Sequence, residues 1–260
     1  MLRSLEVAKT GLEAQQTMLD VVSNNLANLN TSGFKKVRAV FQDLVYDTLR
    51  SPGAATSQTT FLPTGLQLGN GSQVVGTARN FTPGTVIVTG NPFDFSINGP
   101  GFFQVQLPNG TVAYTRDGTF KLDANGALVT NDGFPVVPQI TVAGVTPETV
   151  TFGRDGVGTG LDANGNSQQI GQIQVVSFIN PPGLRALGGN LFAESTASGQ
   201  PVVGTPGLNG LGEIGQKQLE NSNVNVAEEL VNLISAQRSF EIASRAISSS
   251  DQILQKLGQL

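Results

Sequence analysis

The sequence predicts an α+β protein in which paired long N- and C-terminal helices, packed like a coiled coil, flank a central all-β domain of many short strands. Three observations support this fold class. Apolar residues recur every seven positions near both ends of the chain. Between the two ends, apolar and polar residues alternate in short runs. The 260 residues also include 32 Gly and 13 Pro, a composition typical of a chain with many turns.

The N-terminal helix is predicted over residues 4–29 from its heptad pattern. Such a repeat is typical of a helix whose apolar stripe meets another helix along its whole length, in a shallow left-handed supercoil. After the last turn, Gly33 can adopt the left-handed conformation that closes a helix. The stripe has a main row and a second row three positions later: Leu5, Leu12, Leu19 and Leu26, then Ala8, Gln15, Val22 and Leu29.

The C-terminal helix is predicted to begin after Leu219 and has the same spacing. Asn225 is its candidate N-cap, and Glu228 at the third helical position can return the bond. Both stripes are narrower than the roughly three residues in seven of an interior helix, so we expect neighbouring copies of the chain to complete their packing. The rows of this helix are Val226, Leu233, Phe240, Ile247 and Leu254, joined by Leu230, Ala236, Ala243, Ser250 and Leu257.

The sequence pattern divides the whole chain into three predicted regions. Residues 1–45 and 220–260 are predicted to form a terminal helical domain, the core of a polymer, and residues 73–219 an outer β domain. Residues 46–72 are predicted to be an extended stiffening arm, because Phe61, Leu62 and Leu66 are more apolar than a plain linker requires. Within residues 35–50 the pattern allows either a second short helix or an extended arm. The stiffening arm of residues 46–72 is expected to dock on its own middle domain or on a neighbouring subunit.

The middle region reads as short strands separated by tight turns. Phe93, Phe95 and Ile97 alternate with polar residues, and Asn-Gly and Asp-Gly pairs punctuate the strands. This alternation fits a sandwich or an irregular barrel and does not choose between them. Residues 122–126 recur as residues 161–165 and resemble the opening of a calcium loop, but Phe134 and Ile173 stand where that loop needs its bidentate Glu. Both repeats are therefore predicted to be hairpin turns.

The composition argues against catalysis. The chain has no Cys and no His, so thiol nucleophiles and the commonest general base and metal ligand are missing. We predict no catalytic, cofactor or metal site. A net charge of -4 gives no basic surface for nucleic acid. No apolar run approaches the roughly 18 residues of a membrane span, and the first residues do not read as a cleavable secretory signal.

Residues 23–36 read as an Asn-rich helix end followed by Asn-Thr-Ser-Gly-Phe-Lys. This segment resembles the N-terminal signature of the flagellar rod and hook family of axial proteins. The resemblance continues at residues 38–44, 99–105, 114–120 and 222–230, and so covers essentially the whole chain. Phe240 stands where the family commonly has Tyr, which loses a hydroxyl but keeps the apolar row. The signature positions are Asn24, Asn25, Asn28, Asn30, Thr31, Gly33, Phe34 and Lys35.

The resemblance implies a structural subunit that assembles into a helical tube carrying torque from motor to hook, in the basal body from the periplasm to the outer membrane. Its implied partners are further copies of the chain, the proximal rod proteins, the hook protein, the P- and L-ring bushing proteins and the flagellar type III export apparatus. No nucleic acid, direct membrane insertion or cofactor is implied. A proximal rod or hook subunit is the alternative within the family. A cell-wall glycan-binding or hydrolytic β domain is the alternative from another class.

Overall fold

The computed structural model describes residues 2–53, 63–162 and 164–257, without the side chains of Leu2, Leu254 and Leu257. The predicted arm residues Phe61 and Leu62, and the side chains predicted to pack at Leu254 and Leu257, therefore lie outside the described part. The described chain forms an α+β fold with helix α1 at Leu2–Ala27 and helix α2 at Val226–Leu257. This confirms the predicted order of a long N-terminal helix, a many-stranded β region and a C-terminal helix.

The chain divides into two compact units. The terminal unit comprises Met1–Leu26, Val37–Ala78 and Asn225–Leu260. The central unit comprises Ala27–Lys36 and Arg79–Val224. The predicted boundaries at residues 45, 72 and 219 concern the assembled polymer and stay predictions.

In the terminal unit, the two helices are accompanied by four strands that form two two-stranded sheets. These are β1 (Val37–Asp43), which pairs with β4 (Ser72–Arg79), and β2 (Asp47–Arg50), which pairs antiparallel with β3 (Leu66–Leu68). Residues 37–43 and 47–50 are thus extended, which decides between the two alternatives for residues 35–50. The extended form is stabilised because both strands find hydrogen-bonding partners across the ribbon.

The central unit is built from small sheets. One has four strands in the order β15-β16-β8-β7, one has three in the order β11-β12-β13, and the pairs are β5-β19, β6-β18, β9-β10 and β14-β17. Their bounds are β5 (Val86–Val88), β6 (Phe95–Asn98), β7 (Phe103–Gln106), β8 (Val112–Thr115), β9 (Lys121–Leu122), β10 (Leu128–Val129), β11 (Thr151–Phe152), β12 (Val157–Leu161), β13 (Ser167–Gln172), β14 (Val175–Ser177), β15 (Arg185–Gly188), β16 (Leu191–Ala193), β17 (Val202–Gly204), β18 (Glu213–Gln216) and β19 (Gln218–Glu220).

The core of the central unit follows the predicted alternation. Phe95, Ile97 and Phe103 are buried in its main apolar cluster. A second cluster is aromatic and includes Phe102 and Tyr114. The alternation did not indicate that polar residues between the apolar ones are buried as well, among them Asp94, Ser96 and Gln104. These strands are therefore covered on both faces.

The first repeated Leu-Asp-Ala-Asn-Gly segment forms a tight turn, as predicted, and so do the described residues of the second, which leave out position 163. Oδ1 of Asp123 accepts hydrogen bonds from the backbone N–H groups of Asn125 (2.8 Å) and Ala127 (2.7 Å). Oδ1 of Asp162 likewise accepts from Asn164 (2.8 Å) and Asn166 (2.9 Å). These backbone donors lower the pKa of both carboxyl groups, with the bonds from Ala127 and Asn166 contributing most.

The end of α1 differs from the prediction. The helix stops at Ala27, so Leu29 lies in the following turn and not on the helical row. The backbone N–H of Thr31 donates to the carbonyl oxygen of Asn28 (3.3 Å), and that of Phe34 donates to Thr31 (3.2 Å). Gly33 has the predicted left-handed conformation (φ 68°) but lies beyond the helix end, so it is a turn residue and not the helix cap.

Candidate functional site

The signature segment contains a glycine that no larger residue can replace without strain. In the central unit, the backbone N–H of Gly33 donates to the carbonyl oxygen of Glu220 at 2.7 Å. A Cβ atom on Gly33 would lie 2.6 Å from the backbone carbon of Arg116 and 2.6 Å from the backbone nitrogen of Asp117. Gly33 is therefore required both by its positive φ and by the close approach of another backbone.

The phenylalanine that follows is a packing residue. Phe34 is buried, and the guanidinium of Arg79 lies 5.9 Å from its ring centroid and 5.2 Å from that of Phe192. The backbone N–H of Asn223 donates to the carbonyl oxygen of Phe34 (3.4 Å), and Oδ1 of Asn223 accepts from the backbone N–H of Lys36 (2.7 Å). The signature segment is thus held in the central unit by both apolar and backbone contacts.

Lys35, the last signature residue, belongs to a buried charge cluster. Its Nζ donates to Oε1 of Glu220 at 2.5 Å and to the carbonyl oxygen of Thr82 at 2.9 Å. Oε1 of Glu220 also accepts from the backbone N–H of Gly84 (2.8 Å), and its Oε2 lies 3.7 Å from a terminal nitrogen of Arg116. Burial lowers the pKa of Lys35, and the attraction of Glu220 opposes this shift without cancelling it.

The cluster is only partly satisfied by hydrogen bonds. Arg116 donates to the carbonyl oxygens of Ile97 (3.2 Å) and Gly99 (2.7 Å), while its Nε and Oε2 of Glu220 have no hydrogen-bond partner. Removing Glu220 would leave two buried cations without a counter-ion, and removing Lys35 would leave the carboxylate with Arg116 alone, at 3.7 Å, so either loss is destabilising. We therefore assign Lys35 a structural role in the central unit. Its position in the signature gave no indication of Glu220 as the partner.

The signature asparagines have different environments. In the terminal unit, Asn25 is 1% exposed, and its side-chain amide bonds both backbone groups of Val37: Nδ2 donates to the carbonyl oxygen (2.8 Å) and Oδ1 accepts from the N–H (2.9 Å). The same Nδ2 donates to Oε2 of Glu229 at 3.3 Å. In the central unit, Oδ1 of Asn28 accepts from the hydroxyl of Thr31 (3.1 Å). Asn24 and Asn30 are exposed.

The start of α2 confirms its predicted cap. Oδ1 of Asn225 accepts from the backbone N–H groups of Ala227 (3.0 Å) and Glu228 (3.4 Å), the donors that an N-cap satisfies. The first turn also contains Glu229, whose charge suits the start of a helix but whose side chain is buried. Its hydrogen bond from Asn25 accounts for the burial.

The predicted helical rows face inward only in part. Val22 and Ala236 are buried, whereas Val226 and Leu230 are exposed at about two fifths of their surface, at 39% and 42%. The other described residues of the prediction are half-buried: Leu5, Leu12, Leu19, Leu26, Leu29, Leu233, Phe240 and Ile247.

Helix α2 has a second apolar row that the heptad pattern did not indicate. Val231 lies two residues before Leu233, and Ile242 two residues after Phe240, which places both about 200° around the helix from the predicted row. Val231 is 64% exposed and Ile242 68% exposed, and Ile234 and Ile253 are exposed too. The isolated chain therefore leaves apolar surface uncovered along one side of α2.

Within the described residues, no group of three or more Asp, Glu, His or Cys side chains is placed to hold a metal ion. Over the same residues, neither helix is both long and apolar enough to span a bilayer. The features that stand out are thus packing features, namely the signature segment, the buried charge cluster and the apolar rows of the helices.

Three family models match the chain. They are the flagella basal body rod protein over residues 5–35, the flagellar hook protein FlgE/F/G D1 domain over residues 96–159, and the flagellar basal body rod FlgEFG protein C-terminal over residues 216–260. The first contains most of the signature segment, and the last contains Glu220 and α2.

Similar full-length proteins include three named flagellar basal-body rod protein FlgG. The protein of Buchnera aphidicola subsp. Schizaphis graminum is 52% identical over 264 residues, with 100% of both chains covered. That of Borreliella burgdorferi is 44% identical and covers 98% of this chain and 97% of its own. That of Bacillus subtilis is 39% identical and covers 100% of this chain and 99% of its own.

These matches show that the chain belongs to the flagellar rod and hook family of axial proteins, as the signature indicated. Within that family it groups with the flagellar basal-body rod proteins FlgG. It is a structural protein of the flagellar basal body and not an enzyme, which confirms the predicted class. The relatives give no support to a glycan-binding or hydrolytic β domain.

Proposed function

We propose that the chain is the subunit of the bacterial flagellar distal rod, and that its copies assemble into a helical tube that transmits torque from motor to hook. The observation that supports this most directly is the pair of apolar rows on α2. A helix that is apolar on opposite sides needs partners on both. Within one chain, only one side of α2 is packed against other residues. Further copies of the chain would pack against the row that contains Val231 and Ile242.

In this proposal, α1 and α2 pair like a coiled coil along the heptad rows, from Leu5 to Leu26 on one helix and from Val226 to Leu257 on the other. Half-burial of Leu19, Leu233 and Phe240 is consistent with rows completed by neighbouring subunits. Contacts between copies that do not close into a ring generate a filament, so long helical rows at both ends suit a tube.

The proposed role of each region follows the predicted domains. Residues 1–45 and 220–260 form the wall of the tube, and residues 73–219 decorate its outside. Residues 46–72 form an arm that stiffens the polymer by packing on a neighbouring subunit. The exposure of Tyr46 (52%) and Leu49 (57%), and of Val45 (81%) directly before the arm, supports an arm that packs on something beyond its own chain.

Membership in the family implies assembly into the basal-body rod with other flagellar proteins. We propose that these are the proximal rod proteins below, the hook protein above and the P- and L-ring bushing proteins around the tube. We further propose that the type III apparatus exports the chain unfolded, a route that the absence of Cys, and hence of disulfides, favours.

Electron microscopy of the purified chain under polymerising conditions tests the proposal. We expect tubes with the helices in the wall. Sedimentation combined with a peptidoglycan turnover assay separates this function from the alternative class. A chain that degrades peptidoglycan and never associates would overturn the proposal.

A further inference from the structure

Asn25 and Glu229 form a buried polar contact in the terminal unit, with Glu229 on a heptad row of α2 and Asn25 beside the rows of α1. Glu229 precedes Ala236 by seven residues, so it occupies the row continued by Ala236, Ala243 and Ser250. It is 3% exposed and accepts a hydrogen bond from Nδ2 of Asn25 at 3.3 Å. This row is otherwise small or apolar, and a charged residue at its start is therefore the exception that needs an explanation.

The Asn25 amide uses both of its donors and its oxygen. A side-chain amide has two N–H donors and an oxygen with two lone pairs, and three of these four bonds are made here. One donor bonds the carbonyl oxygen of Val37 (2.8 Å), the oxygen accepts from the N–H of Val37 (2.9 Å), and the second donor bonds Glu229. The two bonds to the Val37 backbone fix the direction of the second donor, which can then be met only by an acceptor at the position of Glu229.

The main row of α1 by itself specifies the register of the helices weakly. Leu5, Leu12, Leu19 and Leu26 are identical residues at seven-residue spacing, so a slip of one heptad places leucine where leucine was. The slip corresponds to about 10 Å along the helix axis. In α2 the same slip exchanges Leu233 for Phe240 or Val226, all apolar. The repeat that favours pairing therefore also allows wrong pairings.

A polar pair removes this ambiguity. After a slip of one heptad, Ala236 would take the place of Glu229 opposite Asn25, leaving a buried amide donor and a carboxylate without each other. Unpaired buried polar groups are costly, and a single buried polar residue in a heptad row is known to fix register. We propose that the Asn25–Glu229 pair sets the register of α1 against α2 in the assembled rod. This inference rests on the proposed pairing of the helices.

The test measures the register directly in polymers. The chain has no Cys, so Ser23→Cys and Ser244→Cys, both at exposed positions, introduce two defined sites for spin labels. Labelled chains are diluted into unlabelled ones, and double electron–electron resonance gives the intramolecular separation. We expect one separation for the parent and for the conservative variant Glu229→Gln, and several for Glu229→Ala. Glu228→Ala, which removes the neighbouring exposed carboxylate, is the matched control and should keep the parent separation.

A relocated pair provides the decisive arm. In the double variant Glu229→Ala with Ala236→Glu, the carboxylate moves by one heptad, and we expect the register to follow with a shift of about 10 Å along the axis. An unchanged parent separation in intact polymers of this variant would overturn the register role. Failure of the parent chain itself to polymerise would overturn the proposed function instead.

Discussion

Lys35 donates a hydrogen bond of 2.5 Å from Nζ to Oε1 of Glu220, and the two side chains are 0% and 1% exposed. The pair joins the signature segment to the strand that precedes α2 inside the central unit. Since both partners are buried, the contact ties the folding of the central unit to the presence of residues 27–36. The lysine of the signature therefore stabilises the fold of a single subunit through its contact with Glu220.

We predict that Lys35→Met destabilises the central unit by about 1.5–3 kcal/mol, because Glu220 loses its charge-assisted hydrogen bond and keeps only Arg116 as counter-ion. Urea unfolding, followed by the near-ultraviolet circular dichroism of buried Tyr114, measures the change. Lys121→Met, at an exposed position of the same unit, is the control and should stay within about 0.5 kcal/mol of the parent. Equal stabilities of the two variants would contradict the structural role of Lys35.

Gly33→Ala should destabilise the central unit more than Gly110→Ala. Both glycines have positive φ, 68° and 82°, so both variants incur the left-handed penalty of about 1–2 kcal/mol. Only at Gly33 does the new Cβ meet backbone atoms of Arg116 and Asp117 at 2.6 Å, whereas nothing lies within 4 Å at Gly110. We expect a further cost of about 1–3 kcal/mol at Gly33 from this overlap, measured by the same unfolding experiment. Equal losses would mean that the close approach is relieved without strain.

The sequence predicted the structural features that depend on local pattern and missed those that depend on residues far apart in the chain. The two helices, the Asn225 cap and the Asp123 and Asp162 turns follow from periodicity and short-range hydrogen bonds. Residues 37–43 are extended because they pair with β4. Their local sequence fits a helix as well as a strand and so could not decide between the two.

The partners of the signature residues were beyond local reasoning. Lys35 and Glu220 are 185 residues apart, and Asn25 and Glu229 are 204 apart. Neither glutamate differs in local pattern from an exposed one, and Glu229 even fits the first turn of a helix by its charge alone. The exposed row on α2 was missed for another reason: a search for heptads records the strongest stripe, and the row with Val231 and Ile242 is interrupted by Arg238 and Arg245.

Deletion of residues 51–68 should give more flexible polymers, because it removes β3 and the segment through which the arm would pack on a neighbour. Bending stiffness is read from filament contours in electron micrographs. Leu49→Ser, which removes one exposed apolar arm residue, should act in the same direction. Ile179→Ser, at an 87% exposed position of the central unit, is the matched control. Deletion polymers as rigid as the parent would count against a stiffening role.

The dilute monomer should show little of the helical content of α1 and α2, which comprise 26 and 32 residues. Their narrow apolar rows bury too little surface to offset the entropy of ordering them without neighbours. Far-ultraviolet circular dichroism should therefore gain helical signal on polymerisation, while the near-ultraviolet signal of Tyr114 stays constant in a chain that carries Tyr46→Phe, which removes the exposed tyrosine of the arm. Strong helicity of both termini in dilute monomer would contradict folding on assembly.

The most direct test of the central claim, that the terminal helices form the wall of a polymer, is electron microscopy of purified Leu19→Asp and Leu233→Asp chains. Each variant places a charge on a half-buried position of a heptad row. We predict that neither forms tubes, that both keep the near-ultraviolet signal of a folded central unit, and that Gln16→Asp, at an exposed position of α1, polymerises like the parent. Tubes of parental dimensions from Leu19→Asp and Leu233→Asp would contradict the claim.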